Sequence, residues 1–363
     1  MIELRVNRQN LRETEISELP RPDLQPGEIL VAIVRFALTA NNITYAATGD
    51  FIGYWRFFPA PDPWGKVPVW GFARVEESTV PEVRVGEMLY GFFPMATHLV
   101  MRPGAITQAE FQDVAPHRAV LPALYNYYQR TAADPPFLKG MEDVRCLLFP
   151  LFCTSFILFD YLTDNGYFGA QQLVVTSASS KTGFGLTELV GEAPMPKPRV
   201  FGLTSPGNLE FVTSLGVCDV VLSYAASTQI PGDQKTLLVD MSGDGKIIAG
   251  LHEHLGENMV ASVIVGATHW EAGRHQGTLP GAKPTLFFAP AQMAKCDQDW
   301  GAGEMIRRAY EASAAIAKRT RHALSITHEA GPQMVRAAYL KMLNGKVPPE
   351  TGVILSMHDD GFV

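Results

Sequence analysis

Val174-Val175-Thr176-Ser177-Ala178-Ser179-Ser180-Lys181-Thr182-Gly183-Phe184-Gly185-Leu186 is the stretch on which the reading of this chain turns. An apolar strand runs into a tight turn of small residues and then into the start of a helix. A helix start presents free backbone N–H groups and the positive end of its dipole, so an anion binds there. Small residues let a phosphate approach the backbone, and Ser, Thr and Lys side chains add contacts. The stretch therefore reads as a dinucleotide diphosphate site, with Ser177, Ser179, Ser180, Lys181, Thr182 and Gly183 as its contacts. The bland alternative is a solvated Lys181 beside an ordinary Ser N-cap. A P-loop is the other rival, but it needs glycine directly before the Lys and again five residues earlier. Ser180 and Val175 occupy those positions.

The surroundings favour the dinucleotide. With Gln172–Ser177 as the first, six strands follow one another: Val200–Thr204, Val220–Tyr224, Thr236–Asp240, Val260–Val265 and about Thr285–Ala289. Helical patterns lie between several of them, which implies β-α-β units and a doubly wound parallel sheet. Such sheets bind ligands outside the carboxyl ends of the strands, near the switch point after strand one. The strand ends supply further candidates: Thr204 and Ser205, Tyr224, Ser242 with Gly243, and Gly266. Tyr224 serves equally well as packing. His269 and Trp270, beyond Gly266, serve equally well as surface residues.

On either side the texture differs. Residues 1–36 alternate polar and apolar in short runs broken by Pro20, Pro22, Pro26 and Gly27, as in an antiparallel β domain. Residues 51–65 are dense in aromatics and prolines and fit no regular element. Their rings either line a substrate pocket or plug one end of a barrel. Strands resume near Val67–Glu76 and Met88–Phe93, and His98–Met101 closes the barrel. The tail returns to this texture with a helix, a strand near Ala323–His328, a helix from Pro332 to about Asn344, and a last strand at Val353–Met357. The expected boundaries are 1–124, 125–312 and 313–363.

At 363 residues and 47% hydrophobic, the chain is large enough for two packed domains. Its formal charge of −7 is spread without a basic cluster, so no nucleic-acid or anionic-membrane partner is expected. The apolar run Cys146–Leu162 is interrupted by Pro150 and by Thr154 and Ser155, and reads as a buried core helix. Cys146, Cys153, Cys218 and Cys296 show no metal-type spacing and read as reduced thiols. With no N-terminal targeting signal, a cytoplasmic protein is expected.

Several segments, in order, resemble the medium-chain dehydrogenase/reductase superfamily, in particular its zinc-free quinone and enoyl reductase branch. Val85-Gly86-Glu87-Met88-Leu89-Tyr90-Gly91 is similar to the family's "vGDrVyg". Leu215-Gly216-Val217-Cys218-Asp219-Val220-Val221, running on to Tyr224, resembles "LGAD.vi.y". Val239-Asp240-Met241-Ser242-Gly243 resembles "vvD.vG", and Gly345-Lys346 with Gly352-Val353-Ile354-Leu355 resembles "GK…GKivl". The likeness covers nearly the whole chain. It implies a GroES-like, mostly antiparallel β-barrel domain over 1–124, a Rossmann domain over 125–312, and a return to the barrel over 313–363. The family's phosphate turn is "GASGGVG"; here only Gly183 of its glycines remains.

The resemblance further implies an NADP(H)-dependent oxidoreductase that reduces a small carbonyl, α,β-unsaturated carbonyl or quinone. Asn208 stands where the family places a lysine for the adenosine phosphate. An acid ending strand two would hold the ribose and repel the 2′-phosphate. Leu203-Thr204-Ser205-Pro206 has none, so NADPH is favoured over NADH, with Lys181 and Tyr224 nearby. Ser242 and Gly243 correspond to the nicotinamide ribose contact. Asn42 and Tyr45 fall in the segment resembling the nicotinamide-facing "Np.D.y" loop. Tyr54, with Trp55, is a second candidate wall and proton donor, and pocket packing is the alternative for both tyrosines. Trp70-Gly71-Phe72-Ala73 stands where the zinc branch has its ligands, so no metal is expected. A homodimer is implied by the resemblance alone. The replaced glycines keep open a non-catalytic nucleotide-sensing or partner-binding protein on the same fold.

Overall fold

The computed structural model describes residues 1–265, 277–287 and 289–361. The chain forms two compact units, Met1–Leu147 with Ser325–Val347 and Thr351–Val363, and Leu148–Leu324 with Pro348–Glu350. The first begins with β1 (Ile2–Asn7), β2 (Thr14–Glu18), β3 (Ile29–Leu38), α1 (Ala40–Ala47) and α2 (Gly49–Ile52). It continues through β4 (Trp64–Gly65), β5 (Pro68–Ser78), β6 (Met88–Pro94), β7 (His98–Met101), β8 (Pro103–Gly104), β9 (Glu110–Asp113) and β10 (Tyr127–Arg130). Helix α3 (Glu142–Asp164) leads into the second unit. There follow β11 (Gln172–Val175), α4 (Lys181–Glu192), β12 (Arg199–Thr204), α5 (Leu209–Leu215), β13 (Val220–Ser223), β14 (Thr236–Asp240) and α6 (Gly245–Leu255). After β15 (Met259–Ile264), β16 (Thr285–Leu286), α7 (Ala289–Trp300) and α8 (Glu304–Arg319), the chain rejoins the first unit as β17 (Ser325–Ala330), α9 (Pro332–Leu343) and β18 (Thr351–Ser356).

In the first unit, β1, β2 and β4 form a small antiparallel sheet. A larger sheet runs β17-β18-β3-β5-β6-β10-β9-β8, with β7 also paired to β3. Within it only β17 and β18 pair in parallel. Residues 51–65, where the sequence suggested no regular element, contain the end of the short helix Gly49–Ile52, the helical turn Tyr54–Arg56 and the strand β4. Backbone approach explains them better than propensity. A Cβ on Gly49 or Gly65 would lie 2.3 or 2.4 Å from the Trp55 indole, so two glycines clamp that ring. Trp55, Phe57 and Phe58 are buried, whereas Phe51 is 91% exposed.

The second unit holds a six-stranded, all-parallel sheet in the order β13-β12-β11-β14-β15-β16. The middles of its central strands, Leu173–Val175 and Leu237–Val239, are apolar without a break because both faces are covered. Leu173, Val175, Leu237 and Val239 enter one core with Leu158, Leu162 and Leu186. Val174, Leu238, Phe201 and Leu203 point the other way, against Leu251 and Leu255 of α6. Burying these side chains contributes about 1.5–3 kcal/mol each.

Helix α3 contains Pro150 and is long and apolar enough to cross a membrane by length and composition alone. Many of its apolar residues, Leu148, Phe149, Phe152 and Leu158 among them, are buried within the protein. All four cysteines are free thiols, and burial pushes Cys153 and Cys218 up to about 12.

Candidate functional site

The switch point lies where β11 ends, with β12 on one side and β14 on the other. After Val175 the chain turns through Thr176–Ser180 and enters α4 at Lys181. Ser177 takes a left-handed φ of 46°, unusual for a residue with a Cβ. Tyr224 holds it there: its Oη lies 3.0 Å from both the Ser177 amide and the Ser177 Oγ. Ser180 is the N-cap of α4, accepting from the Gly183 amide at 3.1 Å.

Gly183 is required by close approach. A Cβ there would stand 2.6 Å from the Ser177 carbonyl oxygen. Gly183→Ala is therefore expected to destabilise the protein by about 1–3 kcal/mol and to distort the turn. Chemical denaturation measures the first effect, and unchanged stability would show that the turn yields to a methyl group.

The candidate strand-end residues gather around this turn. Ser179 Oγ accepts from Thr204 Oγ1 at 2.9 Å and from Asn208 Nδ2 at 3.1 Å, which ties the ends of β11 and β12 together. Ser205 is half-buried and precedes the helical turn Pro206–Asn208. Thr182 is half-buried, and its carbonyl accepts from Ser155 Oγ at 2.8 Å. Ser242 is fully buried and donates its hydroxyl to Asp240 Oδ1 at 2.6 Å, while the Gly243 amide donates to Asp240 Oδ2 at 2.9 Å. Gly266, His269 and Trp270 lie outside the described residues.

Asp240 was not among the sequence candidates, yet it organises this edge. Besides Ser242 and Gly243 it accepts from Thr176 Oγ1. The available signal was an acid ending an otherwise apolar strand. Lys181 is half-buried and donates to the Pro349 carbonyl at 3.3 Å. Burial pushes its amine down to about 8, with the nearby Glu350 carboxylate opposing that shift.

The three candidates in the first unit have different surroundings. Asn42 is buried at the start of α1. Its Oδ1 accepts from the Thr39 amide at 2.7 Å and from Thr39 Oγ1, and its Nδ2 donates to the Pro68 carbonyl at 2.9 Å. Tyr45 and Tyr54 come together, with ring centroids 4.3 Å apart. Tyr54 is half-buried, and its hydroxyl lies 3.1 Å from that of Tyr125. Tyr125 sits in a stretch with no periodic pattern, so sequence reasoning missed it. Burial raises all three tyrosine hydroxyls above their ordinary range. They stay protonated at neutral pH and can donate a proton or a hydrogen bond. Among the described residues, no group of three or more His, Cys, Asp or Glu side chains could hold a metal.

The fold is similar over nearly the whole chain to that of solved oxidoreductases and enoyl reductases. It is similar to CurA from Vibrio vulnificus in complex with NADPH, at 12% identity and a TM-score of 0.60, covering 99% of both chains. The yhdH oxidoreductase from Salmonella enterica in complex with NADP aligns at 13% identity and 0.57, over 98% of this chain and 99% of that one. Etr1p in complex with NADP and crotonyl-CoA aligns at 12% identity and 0.57, over 98% and 100%. The chain belongs to the family described as protein of unknown function DUF2855, which matches residues 36–348. No curated protein matches the sequence.

Proposed function

We propose that this protein is an NADPH-dependent, zinc-free reductase of a small carbonyl, α,β-unsaturated carbonyl or quinone compound. The observation that carries the reading is the turn after β11. It lies at the switch point of a parallel sheet, is built of small and hydroxyl residues, and leads into a capped helix start. The end of β12 carries Thr204 and Ser205 and no acid, which leaves room for a 2′-phosphate. Solved structures of the same fold hold NADPH or NADP, which supports the same cofactor here.

In this reading Ser177, Ser179, Ser180, Lys181, Thr182 and Gly183 surround the diphosphate. Thr204, Ser205, Asn208 and Tyr224 serve the adenosine side, and Ser242 and Gly243 the nicotinamide side. NADPH supplies a hydride when bound. The chain must bind and orient the substrate and deliver a proton. Tyr54, with Tyr45 and Tyr125 beside it, serves as the donor, and Asn42 shapes the α1 backbone behind them. The protein would work in the cytoplasm as a homodimer on a small-molecule substrate.

NADPH at a hundredfold excess over its Kd is expected to stabilise the protein by about 3 kcal/mol, read as a thermal shift. NADH should shift it less. No shift with any nucleotide would sink the reductase reading. Among enones and quinones, at least one should support NADPH oxidation, and Tyr54→Phe should lower that rate about a hundredfold. A second reading, a non-catalytic nucleotide sensor, is favoured by the internal use of the turn's amides and of Asn42. Binding of NADPH without turnover across the panel would select it.

A further inference from the structure

The Arg74–Glu76 end of β5 borders a cavity of about 360 Å³, a size that suits a small molecule. All its walls belong to the first compact unit. Ala32 and Val34 of β3 and Val85 of the turn before β6 give it apolar surface. The space follows from the sequence. Arg74 stands opposite Ala32 in the antiparallel register, and the turn before β6 ends on Gly86, whose amide donates to the Val75 carbonyl at 2.8 Å. Two small residues thus leave room beside a long side chain. Trp70, on the same strand, packs against the cluster of Tyr45 and Tyr54. Arg74 lies four residues further on, about 13 Å along the strand, so the cavity is separate from those tyrosines.

Some charged groups at the cavity are engaged and others are open. Glu76 meets Arg21 Nη2 at 3.1 Å and His98 Nε2 at 3.3 Å. The His98 ring is itself held by Thr97 Oγ1 at 2.9 Å. His358 Nε2 donates to the Thr97 carbonyl at 3.1 Å, which leaves its Nδ1 an acceptor when the ring is neutral. Arg74 and Asp360 are the open pair. Arg74 is half-buried and Asp360 is exposed, and among the described residues neither makes a hydrogen bond or an ion pair. A guanidinium without an acceptor and a carboxylate without a donor therefore border one cavity.

We propose that this cavity binds a small zwitterion, an amino acid with an aliphatic body. Its carboxylate pairs with the planar fork of Arg74. Its ammonium group pairs with Asp360 and His358 Nδ1, and its carbon chain lies on Ala32, Val34 and Val85. The two open charges select this class. A simple anion meets the Asp360 carboxylate, and a simple amine meets the Arg74 guanidinium. A neutral apolar molecule desolvates the guanidinium and gives it no acceptor in exchange. The inference needs no dinucleotide and goes beyond the reductase reading.

The experiment is calorimetric titration of the full chain with L-valine, 4-aminobutyrate, butyrate and butylamine. At least one of the two zwitterions is expected to bind wild type about tenfold more tightly than butyrate or butylamine does. Arg74→Met should weaken that zwitterion about tenfold or more, and Asp360→Asn about tenfold, without weakening butyrate. Arg74→Lys, which keeps the charge but loses the fork, should fall between wild type and Arg74→Met. The urea midpoint should stay at the wild-type value in all three variants, because neither side chain has a partner to lose, and NADPH titration should be unchanged. No binding of either zwitterion overturns the proposal. So does a butyrate affinity equal to that of the zwitterion, or a zwitterion affinity that Arg74→Met leaves untouched.

Discussion

Asp240→Ala is expected to abolish dinucleotide binding and to lower stability by more than about 3 kcal/mol. Asp240 is fully buried, and its two oxygens accept from four donors: Thr176 Oγ1, the Ser242 amide, Ser242 Oγ and the Gly243 amide. Thr176 is in turn the acceptor for the Met241 amide at 2.9 Å. Orphaning a buried donor costs about 1–3 kcal/mol, and relaxation recovers only part of the sum. The loss is also directed at function. Thr176 opens the turn after β11, and Ser242 and Gly243 open the turn after β14, so one carboxylate holds two of the strand ends that would face a dinucleotide. Urea unfolding and NADPH titration of the variant check the two halves separately. Wild-type stability with wild-type binding would show that the network is dispensable.

Arg118→Leu should cost about 3–5 kcal/mol, the usual penalty for stranding one half of a buried ion pair. Arg118 is 1% exposed, and its Nε lies 3.1 Å from Asp113 Oδ2. Asp113 also accepts from the amides of Arg102 and Ala115, each at 3.1 Å, so it cannot swing away to solvent without breaking them. The guanidinium lies 4.9 Å over the Phe58 ring and 5.8 Å from the Phe57 centroid. Those two rings pack with Tyr45 and Phe92, and Phe57 contacts Tyr125 directly. The variant should therefore also disturb the tyrosine cluster. Adding Asp113→Asn should recover part of the loss, because the stranded charge is then removed. A single variant as stable as wild type would mean that Asp113 finds another partner.

The parallel sheet was readable because each central strand is buried on both faces. Leu173-Val174-Val175 and Leu237-Leu238-Val239 must then be apolar without a break. The turn after β11 was readable because strand, small residues and helix start are contiguous. The antiparallel strands of the first unit were marked by alternation and by Pro-Gly turns. Two short helical turns in 49–56 were not readable, because they depend on a ring that two glycines clamp from positions 49 and 65. The candidate site was legible as positions at or after strand ends, Ser179, Thr204, Tyr224 and Ser242, since their places follow from chain order, with Asn208 added by the family resemblance. Their hydrogen bonds were not, nor was the pairing of Tyr54 with Tyr125 across 71 positions.

By itself the sequence determined what local pattern can carry: a β-rich unit, a parallel sheet, and a candidate dinucleotide turn at its switch point with hydroxyl and lysine side chains in place of glycines. Only the tertiary structure decided how those side chains are used. Tyr224 holds Ser177 in a left-handed conformation, Asp240 gathers the turns after β11 and β14, and Lys181 rests on a carbonyl 168 positions away. The physical reason is separation in sequence. A hydrogen bond in this edge is set by which strand ends the sheet order makes neighbours, and no local window of residues contains that order.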